Sequence, residues 1–397
     1  MSGRLSTTKH LMFLDSLRGL ASLYVVLHHA AAYFPFSHES SFKRIVLQIL
    51  GYGHWAVDLF IVLSGYSLML AAIRNDYAIK GGYFFFIKRR IIRIIPPYYL
   101  ALFLSIILIY FFINDSNNQR WSYALPVTYE TVIFHLMMIH DFLKSSVTKI
   151  NYSFWSIGVE FRIYFFFPLL LLVLKKIGRL GVLGLALLVT IVCAVLMKYL
   201  EGINSDFDYI GIGVNHYILL FCFGMLIADL SFSTANLATR IRQIYFHYQN
   251  VINYSVLSIF LIFLMPGRTN LTNLITKSFD QSNKLFFNPR IEDLLVGIFT
   301  CFILFICSVN SAPKSYHLPK LLAWRPLTLL GTFSYSLYLI HAPILQIFVQ
   351  YIISPLKLES FSKCLLLLFV GTPIILALSY LFFLCCEKPF LKMRTKQ

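Results

Sequence analysis

Ten apolar runs, each close to the length of a bilayer-crossing helix, divide this chain from end to end. A helix needs about 20 predominantly apolar residues to cross the hydrocarbon core. Only helices and closed barrels satisfy their own backbone polar groups there. The runs fall at roughly 12–34, 54–73, 95–113, 157–174, 180–199, 211–230, 250–266, 292–309, 327–352 and 363–385, and they leave little room for a soluble domain in 397 residues. The expected fold is an all-α polytopic membrane protein of about ten transmembrane helices. It forms a single unit over 1–397, with a helical bundle over about 12–385 and short basic tails. Composition agrees: 13% of residues are charged, against about 25% in a soluble domain.

An even number of spans puts both termini on one side, and basic residues choose the side. The tails and the loops on their side carry 20 Lys and Arg, among them Arg74, Arg90, Lys175 and Lys388, against 12 on the other side. Both termini are therefore expected in the cytoplasm. In a soluble protein a net charge of +17 suggests nucleic acid. Here it reports basic loops beside anionic lipid headgroups, so membrane lipids are expected partners and nucleic acid is not. The seven cysteines lie in apolar runs without zinc-ligand spacing, so no metal site is expected. Asp15 and Arg18 interrupt the first apolar run, which argues against a cleaved signal peptide.

That first run, Asp15-Ser-Leu-Arg-Gly-Leu-Ala-Ser-Leu-Tyr-Val-Val-Leu-His-His29, holds too many ionisable groups to be a passive anchor, because such groups are costly in hydrocarbon. At 100° per residue Asp15, Arg18, Ser22 and His29 share one stripe, with Arg18 and His29 about 16 Å apart along it. His28 points about 100° away from His29. His29 is thus the face-mate of Arg18.

Four other stretches carry polar groups. In the second run His54 and Asp58, four apart, share a face and read as a polar pair, with Asp58 equally open to a functional role. Ser64-Gly65 in the same run permits close backbone approach. Lys88-Arg89-Arg90-Ile-Ile-Arg93 is a cationic cluster at the inner end of a helix. Arg90 and Arg93 share a face and present two planar donor forks, suited to a cytosolic donor bearing several phosphates. Glu160 sits where the chain re-enters the membrane. A carboxylate there can bind a sugar hydroxyl, orient a histidine or transfer a proton, and Arg162, two residues on, does not face it. Ser334, Tyr338 and His341 form a further polar stripe at i, i+4, i+7.

Taken together these stretches resemble the integral-membrane acyltransferase-3 family of bacterial O-acetyltransferases. The resemblance runs from Leu14 to Pro389. Arg18 and His29 match its arginine–histidine signature, and Asp58 to Tyr66 its DLFxVLSGF-like segment. Arg90, Arg93 and Pro96 match its arginine pair before proline. Ser153, Trp155, Ser156, Val159, Glu160 and Tyr164 match its SLWSLxVExQFY-like segment. Ser334, Tyr335, Tyr338, His341 and Pro343 match its SYSLYLxHxP-like segment, and Glu387 to Pro389 its terminal EKP. Arg162 departs from the pattern, standing where the family often has glutamine.

The resemblance implies a membrane O-acyltransferase that moves an acyl group, acetyl foremost, from acyl-CoA to a hydroxyl of a cell-envelope sugar. Lipopolysaccharide O-antigen, exopolysaccharide or a lipid-linked glycan precursor would serve as acceptor, in the bacterial inner membrane. Acetyl-CoA would be a donor substrate, with no permanently bound cofactor. The catalytic set would be His29, Arg18, Asp15 and Glu160, with His29 as general base. Arg90 and Arg93 would hold the CoA phosphates. Asp58, Ser64, Trp155, Ser334, Tyr338 and His341 would line the substrate path or support it. The competing reading is a transporter or translocator of an envelope glycan along the same polar path, although paired broken helices are not evident. A non-catalytic scaffold would leave the buried polar stripes without a purpose.

Overall fold

The computed structural model describes residues 11–34, 46, 49–113, 121–206, 215–264, 291–309 and 317–395. Among them the chain is helical, with no β-strand. The helices are α1 (Met12–Ala31), α2 (His54–Ile73), α3 (Gly82–Phe111), α4 (Tyr129–Leu136), α5 (Trp155–Lys176), α6 (Arg179–Ile203), α7 (Asn215–Phe232), α8 (Asn236–Leu264), α9 (Ile291–Val309), α10 (His317–Leu321), α11 (Arg325–Thr332), α12 (Ser334–Ile353) and α13 (Ser360–Met393).

Seven of these are long and apolar enough to cross a membrane, namely α2, α3, α5, α6, α9, α12 and α13. The pair α7–α8, bent by 81° at a short break, raises the number to eight when taken as one span. The described parts of the expected runs 211–230 and 250–266 fall on the two arms of this bent element, and its second arm loses helical geometry again at Tyr248. Helix α1 has spanning length at 20 residues, but Asp15, Arg18 and two histidines dilute its apolar character. Of the connections between the expected runs, 267–291, for which the charge count implies the outer side, lies outside the described residues except for Ile291, and so do residues 114–120 of 114–156 on that same side.

Two helix crossings bring backbone against backbone. A Cβ on Gly65 of α2 would sit 2.0 Å from the Phe221 carbonyl oxygen, and one on Gly224 of α7 would sit 1.9 Å from that of Val62. A Cβ on Gly331 of α11 would sit 2.0 Å from the Asp15 carbonyl oxygen. Small residues at crossings let apolar helices gain dispersion contact where lipid offers no hydrophobic drive. The Asp15–Gly331 contact fixes how α1 presents Arg18. Hydroxyls within the bundle bond back to their own helix, as Ser105 does to Ala101 and Thr190 to Ala186, each at 2.8 Å. That satisfies them without a distant partner.

The segment between α3 and α5 folds down onto the bundle. Trp121, Ile150, Asn151, Ser153 and Phe154 are buried. Asn151 Nδ2 donates to the Leu339 carbonyl of α12 (3.1 Å), and its Oδ1 accepts from Ser153 Oγ (2.7 Å). Helix α4 starts on a reciprocal cap between Thr128 and Thr131, which uses free N–H groups of its first turn. Arg162 of α5 reaches out to this segment, pairing with the fully buried Asp141 and donating to the Met138 carbonyl (2.6 Å).

The same segment buries two stacked imidazoles, His135 and His140, with ring centroids 4.0 Å apart. Burial pushes His135 down to about 4, against hydrogen bonding that raises it. Burial and the neighbouring His135 hold His140 well below its usual value. Between pH 6.5 and about 4 the unfolded chain therefore binds a proton at His135 that the folded chain refuses. Stability rises with pH across that window and is lost as pH falls through it, by on the order of 3 kcal/mol at the acid end. Thermal unfolding in detergent is expected to show a midpoint that drops from pH 7 to pH 4.5, with a shallower drop in His135→Phe. A midpoint equally steep in that variant would remove His135 as the cause.

Candidate active site

A cavity lies where α1, α2, α3, α5 and α12 meet. Each helix contributes the polar face that its periodicity implies. From α1 comes Arg18, from α2 Ser64 and Ser67, and from α3 Arg90 and Arg93. Helix α5 supplies Ser156, Glu160 and Tyr164, and α12 supplies Ser334, Tyr335 and Tyr338. Three guanidinium groups and one carboxylate line this space, so its walls carry a net positive charge suited to a polyanion.

The polar groups are held in place. Arg18 Nη1 lies 3.3 Å from Asp15 Oδ1, and Nη2 donates to Ser67 Oγ at 2.5 Å. Ser67 in turn donates to the Leu63 carbonyl (2.6 Å). Glu160 Oε1 accepts from both Ser64 Oγ and Tyr164 OH. The Arg90 guanidinium lies 5.7 Å from the centre of the Tyr164 ring and 5.4 Å from that of Phe86. Tyr335 OH donates to the Ile94 carbonyl (3.0 Å) and Ser334 Oγ to the Gly331 carbonyl (3.0 Å). Tyr338 OH has one proton, which goes to the Ser153 carbonyl (2.9 Å), so Ser156 Oγ, 2.6 Å away, donates to it.

Behind Tyr338 stands a stack of imidazoles. The Tyr338 and His341 rings are 5.8 Å apart, and His341 stacks on His29 at 5.2 Å with an interplanar angle of 25°. Tyr152, from the segment before α5, closes on His29 at 4.8 Å. The fully buried His341 presents Nδ1 to the Tyr338 carbonyl at 2.8 Å and the Leu337 carbonyl at 3.2 Å. A carbonyl only accepts, so Nδ1 carries the proton and Nε2 keeps its lone pair in the neutral ring. His28 meets the His29 ring edge-on at 4.9 Å, with its Nδ1 donating to the Leu50 carbonyl (2.8 Å).

Of the residues singled out from sequence, Arg18, Arg90, Arg93, Glu160, Ser64, Ser334 and Tyr338 converge on the cavity. His29 and His341 stack together next to it, and Asp15 braces Arg18. Two others stand elsewhere. Trp155 packs on Tyr217 at 5.9 Å, and its neighbour Ser156 takes the place on the cavity wall. Asp58 turns away toward His216 and Asp293, three residues whose oxygen and nitrogen atoms lie within 4.8 Å of one another and could together hold a metal ion. Ser22, expected on the Arg18 stripe, bonds back to the Gly19 carbonyl (2.9 Å). Sequence reasoning passed over Ser67 and Tyr152. Ser67 lies one helical turn from Ser64 on the same face, a signal available in advance. Tyr152 sits in an irregular segment, where no periodicity could point to it.

One family model, described as an acyltransferase domain, matches residues 12–384. No curated protein and no solved structure matches the chain.

Proposed function

The chain belongs to the acyltransferase-3 family and is a membrane acyltransferase of that type, and from this we propose that it transfers an acetyl group from acetyl-CoA to a hydroxyl of a cell-envelope glycan or its lipid-linked precursor. The observation that carries this reading is the cavity lined by Arg18, Arg90, Arg93 and Tyr338, with the His341–His29 stack next to Tyr338.

In this reading the excess of basic residues sets the Arg90–Arg93 end at the cytoplasmic face, with both termini on that side, in the bacterial inner membrane. Arg90 and Arg93 grip the CoA phosphates with paired donor forks. The pantetheine arm runs along Ser64, Glu160 and Ser156, and the thioester stops at the Tyr338 layer. His29 takes the proton of the acceptor hydroxyl. The freed oxygen attacks the thioester carbonyl, the C–S bond breaks, and the CoA sulfur leaves with the proton returned by the imidazolium. Neutral imidazole suits both halves of this exchange. His341, whose Nδ1 is committed to main-chain carbonyls, holds the His29 ring in register and steers protons through Nε2. The acceptor comes from the opposite side, past Tyr152.

The test is incorporation of labelled acetyl from acetyl-CoA into glycan in membranes that contain the protein, with a mass comparison of envelope glycans from cells with and without it. Label in glycan and a mass gain of one acetyl group are expected. Transport of unmodified glycan into liposomes, with no acyl-CoA consumed, would replace this reading with a translocator.

A further inference from the structure

We propose that Asp58, His216 and Asp293 form a binding site for one divalent transition-metal ion, zinc foremost, which pins three helices at one end of the bundle, with His54 orienting Asp293. The site is separate from the cavity, since none of these four residues lines it. It therefore stands or falls independently of the transferase reading.

The residues come from three helices. His54 opens α2 with Asp58 one turn later, His216 is the second residue of α7, and Asp293 is the third of α9. One donor atom each from Asp58, His216 and Asp293 falls within a 4.8 Å group. His216 Nε2 lies 3.0 Å from Asp293 Oδ2, and His54 Nε2 lies 3.2 Å from Asp293 Oδ1. Zinc binds imidazole and carboxylate at about 2.0–2.2 Å in a tetrahedron, which sets its donor atoms roughly 3.3 Å apart. The Nε2–Oδ2 separation is already close to such an edge. Three protein donors leave a fourth position for water.

Charge and donor type point the same way. Asp58 and Asp293 are buried, and the His216 side chain is 12% exposed. Two carboxylates with two neutral imidazoles total −2, which one divalent cation cancels. Imidazole with carboxylate selects zinc and its first-row neighbours over calcium or magnesium, which take oxygen ligands. Ligating carboxylates are themselves oriented by a neighbouring donor, and His54 Nε2, 3.2 Å from Asp293 Oδ1, is placed for that role. The placement also has a mechanical use. Helices α2 and α7 touch backbone to backbone at Gly65 and Gly224. An ion on Asp58 and His216 fastens the same pair about two turns away along α2 and ties α9 to it.

The competing arrangement is a metal-free cluster in which protonated histidines neutralise the carboxylates. Full-length protein in detergent, stripped with chelator and dialysed against buffered zinc, separates the two. About one zinc per chain is expected at micromolar free zinc. Cobalt in its place should give the intense visible absorption of a tetrahedral site, and zinc should raise the thermal midpoint by mass action. His216→Ala and Asp293→Asn should each lose the bound metal, and His54→Ala should weaken zinc affinity about 10–100-fold. Monodisperse wild-type protein that takes up neither zinc nor cobalt overturns the proposal. So does a His216→Ala/Asp293→Asn double variant that keeps one equivalent. If the double variant does not fold, His216→Ala alone decides: one equivalent of zinc held at wild-type affinity in that variant overturns the assignment.

Discussion

Replacing His29 with alanine is expected to lower kcat for acyl transfer by about 10²–10⁴-fold, the range that a positioned general base supplies, while the KM for acyl-CoA stays near its wild-type value. The split follows from the geometry. His29 lies two ring layers from the cavity that holds the arginines, behind Tyr338 and His341. In the proposed mechanism, removing it takes away proton transfer and leaves the donor's phosphate contacts intact. His28→Ala is the internal comparison. That ring is tied to the Leu50 carbonyl and meets His29 only by its edge, at 4.9 Å, so its loss should leave most of kcat. Initial rates with labelled acetyl-CoA in membranes of matched expression decide the matter. Wild-type turnover in His29→Ala would end the assignment of His29 as base, and an equal fall in both variants would point to damage in α1 rather than lost chemistry.

Converting Arg90 and Arg93 together to glutamine should act on the opposite term. Each charge-assisted contact contributes about 1.5–3 kcal/mol, or roughly 10–100-fold in affinity for each arginine. The KM for acyl-CoA should rise by at least that factor with a smaller change in kcat. The wild-type KM should climb with added salt, as phosphate contacts do when screened, and the double variant should lose most of that slope. Arg18 is a different case. Asp15 and Ser67 hold its guanidinium at 3.3 and 2.5 Å, so Arg18→Gln should disturb packing along α1 together with donor affinity. A double variant with unchanged donor KM but a raised acceptor KM would reverse the direction assigned to the passage.

Much of the site was legible because the membrane makes polar residues expensive. Along α1, α5 and α12, Arg18, Ser156, Glu160, Ser334 and Tyr338 break the apolar pattern and line the cavity, whereas Ser22, Arg162 and Ser336 break it too and bond elsewhere. The helical repeat sets His29 on the Arg18 stripe, and the structure stacks it on His341 while His28 meets it edge-on. Trp155 and Asp58 show where that logic stops. Periodicity states which residues of one helix share a face, but the neighbour of that face depends on how the helix is rotated against others. Trp155 was carried by its place in a motif, and the cavity took Ser156, 100° further round. Asp58 and Ser64 sit on one helix, yet only Ser64 meets the cavity.

The sequence by itself determined that the chain is a bundle of apolar helices, where most of them run and which ionisable groups they are forced to enclose. Local hydrogen bonding and the cost of desolvation act within about twenty residues, so a linear reading reaches them. Tertiary structure alone decided that α7 and α8 form one bent element, that the chain between α3 and α5 plugs the bundle through Asn151, and that Asp58 meets His216 and Asp293. Those outcomes depend on packing between segments up to a few hundred residues apart, and backbone contacts such as Gly65 on Phe221 and Gly224 on Val62 set the rotation of each helix. That rotation is a property of the pair, and neither helix carries it alone.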